Sequence, residues 1–125
     1  MCVRRRRKKT HLILDVRTAE EYLGDSQKLR SGHIPGAVWW PWEEGVDLEG
    51  GFLRRSDELL SDSFKKAGAT EKRQPILLYC ASGRRAAQSY LVLRSLGFEN
   101  VKVYLNSMNE YAAEPSAPLK TGPTP

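Results

Sequence analysis

A chain of 125 residues, 40% of them hydrophobic, is long enough for one compact domain and one core. No apolar run approaches the roughly 18 residues that mark a membrane span, so no membrane partner is expected. The net charge of +5 comes from one block, RRRRKK at 4–9; the rest of the chain holds 14 basic against 15 acidic residues, which excludes a basic nucleic-acid-binding face.

Residues 1–10 read as a basic tail. HLILDVR (11–17) is short, β-rich and ends in charge, which predicts a buried strand. Thr18 then offers an N-cap followed by acids, so a short helix is predicted to start there. GDSQKLRSGHIPG (24–36) reads as loop. AVWWPW (37–42) predicts a second strand that Pro41 ends or places at an edge. EEGVDLEGG (43–51) reads as a polar, glycine-bearing loop. SDELLSDSFKKAG (56–68) predicts a helix capped near Ser56 and stopped at Gly68.

PILLYC (75–80) is a continuous apolar run and predicts a central strand covered on both faces. One helix is predicted from Gly83 or Arg84 to Leu96, with Ala87, Tyr90, Leu91 and Arg94 near one stripe and Gly97 as its stop. VKVYL (101–105) alternates as a strand, and NEYAA (109–113) reads as a last helical turn. The Pro, Ser, Thr and Gly content of 114–125 predicts a disordered end. The domain is therefore expected to span 11–113. Alternation of strands and helices implies an α/β domain with a mostly parallel sheet. In such sheets ligands bind beyond the carboxyl ends of the strands, where Cys80 sits, and Asp15 too if its strand is parallel.

The segment CASGRRAA (80–87) carries the chemistry. A cysteine just before a helix N-terminus meets unpaired backbone N–H groups and the positive end of the helix dipole, and both favour the nucleophilic thiolate. Arg84 and Arg85 add positive charge. Ala81, Ser82 and Gly83 keep the turn small, so backbone amides can line a cup: an anion cradle with a nucleophile at its base. The plainer alternative is a small buried core cysteine. The cysteines at 2 and 80 form no disulfide framework, and no CxxC or Cys/His cluster suggests zinc, so no metal or cofactor is expected. No secretory segment follows Met1, and a reducing, cytoplasmic setting is the simplest expectation.

The pieces LILDVRTAEEY, LRSGHIPGAVWWPW, GGFLRRSDEL and PILLYCASGRRAAQSYLVLRSLGFENVKVY appear in family order across residues 12–105. In this the chain resembles a rhodanese-like sulfurtransferase domain, with PWEEGVDLEGGFLRRSDEL similar to the catalytic half of two-domain members. The resemblance implies a three-layer α/β fold with a central parallel sheet flanked by helices. It also implies that Cys80 carries a sulfane sulfur as a persulfide, taken from thiosulfate or a related donor and passed to cyanide or a thiol. Residues 81–85 would hold the anion, with Arg85 binding the donor's sulfonate and Arg84 either assisting capture or facing solvent. Asp15 and Arg17 form the family's DxR element; Asp15 would orient the loop or Arg85, or would simply brace the turn.

His33, in GHIPGA, is read as a turn brace, since transfer through a thiolate needs no obligatory base. Among Trp39, Trp40 and Trp42, at least one is expected in the core and one along the site. Cysteine phosphatases use C-x5-R, which would put arginine at Ala86; Arg85 gives C-x4-R, a smaller cup suited to sulfur. A non-catalytic or weakly catalytic sulfur-carrier or regulatory module is the alternative function.

Two departures from the family stand out. Members begin with a strand and a helix before the DxR element, and ten residues are too few for both, so a sheet edge is expected to be missing or improvised by the tail. LNSMNEY (105–111) replaces a stretch that often holds glycine and tryptophan, placing Asn106 and Met108 near the site.

Overall fold

In a computed structural model, residues 12–25, 27, 28, 30–47 and 53–125 are described. The basic tail, the expected sheet edge it would supply and part of the 43–51 loop lie outside the described residues. The elements run β1 (Leu12–Asp15), α1 (Ala19–Leu23), β2 (Val38–Trp39), a 3-10 turn (Trp42–Gly45), β3 (Val46–Asp47), β4 (Leu53–Arg54), α2 (Asp57–Ala67), β5 (Ile76–Tyr79), α3 (Arg84–Ser95), β6 (Val101–Val103) and α4 (Ser107–Tyr111).

The main sheet has the order β2-β1-β5-β6 and all its pairs are parallel. Alternation along the strands separates two apolar layers. Leu12, Leu14, Ile76 and Leu78 face the larger core with Leu60 and Phe64 of α2 and Val92 and Leu93 of α3. Ile13 and Tyr79 face the opposite layer with Ala37, Met108 and Leu119. The result is the expected three-layer α/β domain.

α2 ends as its caps dictate. Ser56 Oγ accepts the Leu59 N–H, and Gly68 takes the left-handed conformation at φ 109°. Pro41 follows β2, and the chain enters the 3-10 turn at Trp42. Trp40 is the core tryptophan, stacked on Phe64 at 4.1 Å and donating from Nε1 to Ser63 Oγ at 2.7 Å.

Three expectations need correction. The 43–51 loop is in part structured: β3 pairs antiparallel with β4 in a separate two-stranded ribbon. The buried face of α3 is Ala86, Ser89, Val92 and Leu93, while Ala87 and Leu91 are exposed. Ser89 interrupts the apolar pattern on the true face, and Ala87 with Leu91 imitates it one residue on. Finally, residues 114–125 are not a disordered end. Arg30 donates to the carbonyls of Ala112, Glu114, Pro115 and Ala117, Lys120 bridges to His33 through both backbone groups, and Leu119 packs on the second layer. Carbonyls satisfied by the half-buried Arg30, and the backbone pairing with buried His33, hold this Pro-rich segment without helix or strand.

Candidate active site

β1 and β5 lie side by side in register, with Asp15 opposite Tyr79. From β1 the chain moves to β2 on one side; from β5 it moves to β6 on the other. The crevice at their carboxyl ends is therefore a topological switch point, the place where open α/β sheets bind ligands. Cys80 follows Tyr79 directly into that crevice, and its side chain is fully buried.

The turn after Cys80 is wound around its sulfur. The Gly83 N–H donates to Sγ at 3.0 Å and the Ala86 N–H at 3.4 Å. Burial pushes the thiol pKa up, but the amides of Ala86, Gly83, Ser82 and Arg85 outweigh it and bring it below the ordinary thiol value. The cup thus reaches to Ala86, one residue past the expected span. The expected consequence is that iodoacetamide alkylation of Cys80 titrates at lower pH than that of a free thiol. A profile at or above the free-thiol value would contradict the cradle.

Gly83 makes this winding possible. Its φ of 97° is left-handed, and a Cβ there would stand 2.4 Å from the Leu105 carbonyl oxygen. Gly83→Ala is expected to cost about 2–5 kcal/mol from strained backbone and overpacking. Chemical denaturation measures this, and thiol reactivity should fall with it because the amides turn away from sulfur.

The first turn of α4 forms the second wall. The Met108 N–H donates to the Cys80 carbonyl at 3.0 Å and the Asn109 N–H to that of Ala81 at 2.9 Å. Ser107, buried and at φ 48°, accepts the Cys80 N–H on Oγ at 3.1 Å and donates to the Tyr104 carbonyl at 2.6 Å. The LNSMNEY departure therefore falls on the helix start that fixes the backbone of the cysteine.

Arg85 does not meet Asp15. Its Nη1 and Nη2 donate to Glu21 Oε1 and Oε2 at 2.9 and 3.2 Å. Glu21 also accepts the Thr18 N–H and hydroxyl, completing the capping box of α1. Burial pushes the Glu21 pKa up, but the Arg85 and Thr18 hydrogen bonds bring it down to about 2, so it is ionised at neutral pH. The hydrogen bond that Arg85 donates to Glu21 in turn raises the Arg85 pKa, with a further contribution from Cys80. Arg84, on the same first turn of α3, is exposed.

Asp15 is fully buried and holds Arg17 instead. It accepts the Arg17 backbone N–H at 3.0 Å and Nη2 at 2.6 Å, while that Nη2 also reaches the Gly32 carbonyl at 2.7 Å. Each ring nitrogen of His33 lies within 2.9 Å of a backbone carbonyl, those of Tyr22 and Thr124, and the ring stacks on Tyr22 at 3.7 Å. Trp39 is 40% exposed, and its Nε1 donates to the Arg17 carbonyl. It borders a cavity with Thr18, Pro41 and Glu43 at this end of the sheet.

A cleft of about 240 Å³ opens beside the cup, lined by Glu21, Arg17, Lys28, Ala81 and Asn109 among others. Another cavity, about 540 Å³, lies at the beginnings of β1 and β5 around Leu12, Pro75 and Lys102, the wrong end for Cys80. No group of three or more His, Cys, Asp or Glu among the described residues could hold a metal ion. No described helix is long and apolar enough to cross a membrane.

The sequence reading assigned Glu21 no part in the site, although T-x-x-E was legible as a capping box. It also missed Ser107, for which no local signal exists: a serine in the left-handed region looks like any loop serine.

Residues 2–114 match the family model described as a rhodanese-like domain. The chain is 36% identical over 120 residues to a Mycobacterium tuberculosis (strain H37Rv) protein named "Putative thiosulfate sulfurtransferase", covering 88% of this chain and 42% of that one. It is 34% identical over 120 residues to the "Sulfur carrier protein TtuD" of Thermus thermophilus, covering 88% and 41%. The chain thus spans about two-fifths of the length of these curated relatives. An anaerobic ergothioneine biosynthesis enzyme from Chlorobium limicola shares the fold at a TM-score of 0.78 and 22% identity, over 90% of this chain and 28% of that one.

Proposed function

The chain belongs to the rhodanese-like domain family, and from that premise we propose that it is a thiosulfate sulfurtransferase acting through a Cys80 persulfide. The observation that carries the reading is the buried thiol ringed by converging backbone amides. Such a ring stabilises a thiolate, and after loading it stabilises an anionic persulfide.

In the loading step the Cys80 thiolate attacks the outer sulfur of thiosulfate. The Sγ–S bond forms, the S–S bond of thiosulfate breaks, and sulfite leaves with the electron pair. In the second step cyanide attacks the outer sulfur of the persulfide, thiocyanate departs, and the Cys80 thiolate is restored. A thiolate acceptor would take the sulfur in the same way. This is two-step covalent catalysis with a ping-pong pattern. Arg85 binds the sulfonate of the donor, Asp15 and Arg17 brace the end of β1 beside the cup, and no cofactor takes part. A free cysteine in this role fits a reducing, cytoplasmic compartment.

The second reading is a sulfur-carrier or regulatory module with little thiosulfate turnover of its own. The pairing of Arg85 with Glu21 favours it, because the cation assigned to the donor is already paired with a carboxylate. Thiocyanate formation from thiosulfate and cyanide separates the two. The enzyme reading expects saturable turnover with intersecting-free, parallel double-reciprocal lines; a single stoichiometric sulfur transfer without turnover would favour the module.

A further inference from the structure

The Arg85–Glu21 pair has four observations behind it. The contact is two-point, at 2.9 and 3.2 Å. Both side chains are partly buried, about 27% and 33% exposed. Glu21 is fixed by two further bonds from Thr18, so the carboxylate is held in place by α1 rather than drifting in solvent. Arg85 also stands on the first turn of α3, between the two residues whose amides donate to Cys80 Sγ, and Arg84, the other cation of the loop, is exposed.

A sulfonate and a carboxylate ask the same thing of a guanidinium: a planar fork of two N–H donors. They cannot both have it. We propose that Glu21 is a specificity-determining residue that competes with the oxyanion end of the sulfur donor for Arg85. This deepens the sulfurtransferase reading and rests on it. A dianionic donor such as thiosulfate must displace Glu21 before it can use Arg85, and it leaves a partly buried carboxylate without its partner. A donor whose sulfane sulfur hangs on a thiol, R–S–S–H, has no oxyanion to place there. Cys80 thiolate attacks its outer sulfur, the Sγ–S bond forms, the S–S bond breaks, and R–S⁻ leaves with the electron pair while the transferred sulfur keeps its proton. Glu21 therefore tilts the site from oxyanion donors toward organic persulfides.

Glu21→Gln is the informative substitution. Glutamine at this position still completes a capping box with Thr18, so α1 is expected to persist, and far-UV circular dichroism with a thermal melt checks it. The first probe is inorganic sulfate, a dianion that cannot donate sulfur. Its protection of Cys80 from iodoacetamide is read on the Cys80 peptide by mass spectrometry in the full chain, at constant ionic strength. In Glu21→Gln the sulfate concentration for half-protection is expected to fall about tenfold, the worth of one freed charge-assisted contact. The gain is expected to vanish in Glu21→Gln/Arg85→Ala. An unchanged or higher sulfate requirement in Glu21→Gln, or a gain that survives loss of Arg85, overturns the proposal.

The second probe is donor choice, the ratio of kcat/KM for thiosulfate to kcat/KM for glutathione persulfide. That ratio is expected to rise in Glu21→Gln, and a fall or an equal change for both donors overturns the inference. Should neither donor load wild-type Cys80, the sulfurtransferase reading fails, while the sulfate experiment still decides whether Glu21 and an anion compete. Should Glu21→Gln fail to fold, Glu21→Asp draws the carboxylate back by one methylene, and the same experiments on it carry the same expected directions.

Discussion

Cys80→Ser is expected to abolish thiocyanate production and persulfide formation, whereas Cys2→Ser leaves both nearly unchanged. Serine fits the volume of the buried site and can still accept the Gly83 and Ala86 amides, so the fold should hold. The chemistry should not. A serine hydroxyl stays protonated at neutral pH, the described hydrogen bonds to the side chain at position 80 come from backbone amides and not from a base, and oxygen cannot carry a sulfane sulfur in place of Sγ. Loss of a covalent nucleophile typically costs on the order of a thousandfold or more. Cys2 lies in the basic arm, next to arginines but without a helix N-terminus in the sequence to form a cup. Rates with both variants, after a thermal melt to confirm folding, provide the check. Comparable losses from both substitutions would mean that the nucleophile has been misassigned.

Arg85→Ala is expected to lower kcat/KM for thiosulfate by roughly tenfold to a hundredfold, the range set by charge-assisted hydrogen bonds of about 1.5–3 kcal/mol. Two contributions add. The donor loses the fork that holds its sulfonate, which raises KM. The thiolate loses a neighbouring cation, which moves the Cys80 alkylation profile to higher pH. Removing Arg85 also strands the Glu21 carboxylate at the rim, where it repels an anionic donor further. Arg84→Ala should cost clearly less, since that side chain is exposed and lies outside the cup. Steady-state kinetics of both variants, with alkylation across pH, separates the contributions. Greater damage from Arg84→Ala would mean that the cup closes on the other arginine, and the distinction between C-x4-R and C-x5-R would lose its geometric basis.

What the sequence made legible was local. PILLYC is a continuous apolar run, and it forms the central strand because both of its faces are covered. Ser56 and Gly68 announced both ends of α2 through groups that act within four residues. Cys80, Gly83 and the arginines sit within one turn, so the cradle could be read from their spacing alone. What escaped was fixed at a distance. Arg30 gathers four carbonyls more than 80 residues away, which turns a segment composed like a disordered tail into a packed strap. Glu21 meets Arg85 across 64 residues, and its sequence signal, a capping box, explains α1 without requiring that second partner. The face of α3 was misread because Ser89 occupies a buried position that an apolar pattern cannot register. Asp15 was expected to have Arg85 among its possible partners, yet Arg17, two residues on, satisfies it first.

The central claim is that Cys80 carries the sulfur. Mass spectrometry of the full chain after incubation with thiosulfate, followed by peptide mapping under non-reducing conditions, tests it without an assumed acceptor. The expected result is one added sulfur atom on the Cys80 peptide, removed on addition of cyanide with release of an equal amount of thiocyanate. An unmodified Cys80 peptide, or an added sulfur found on Cys2 instead, would contradict it.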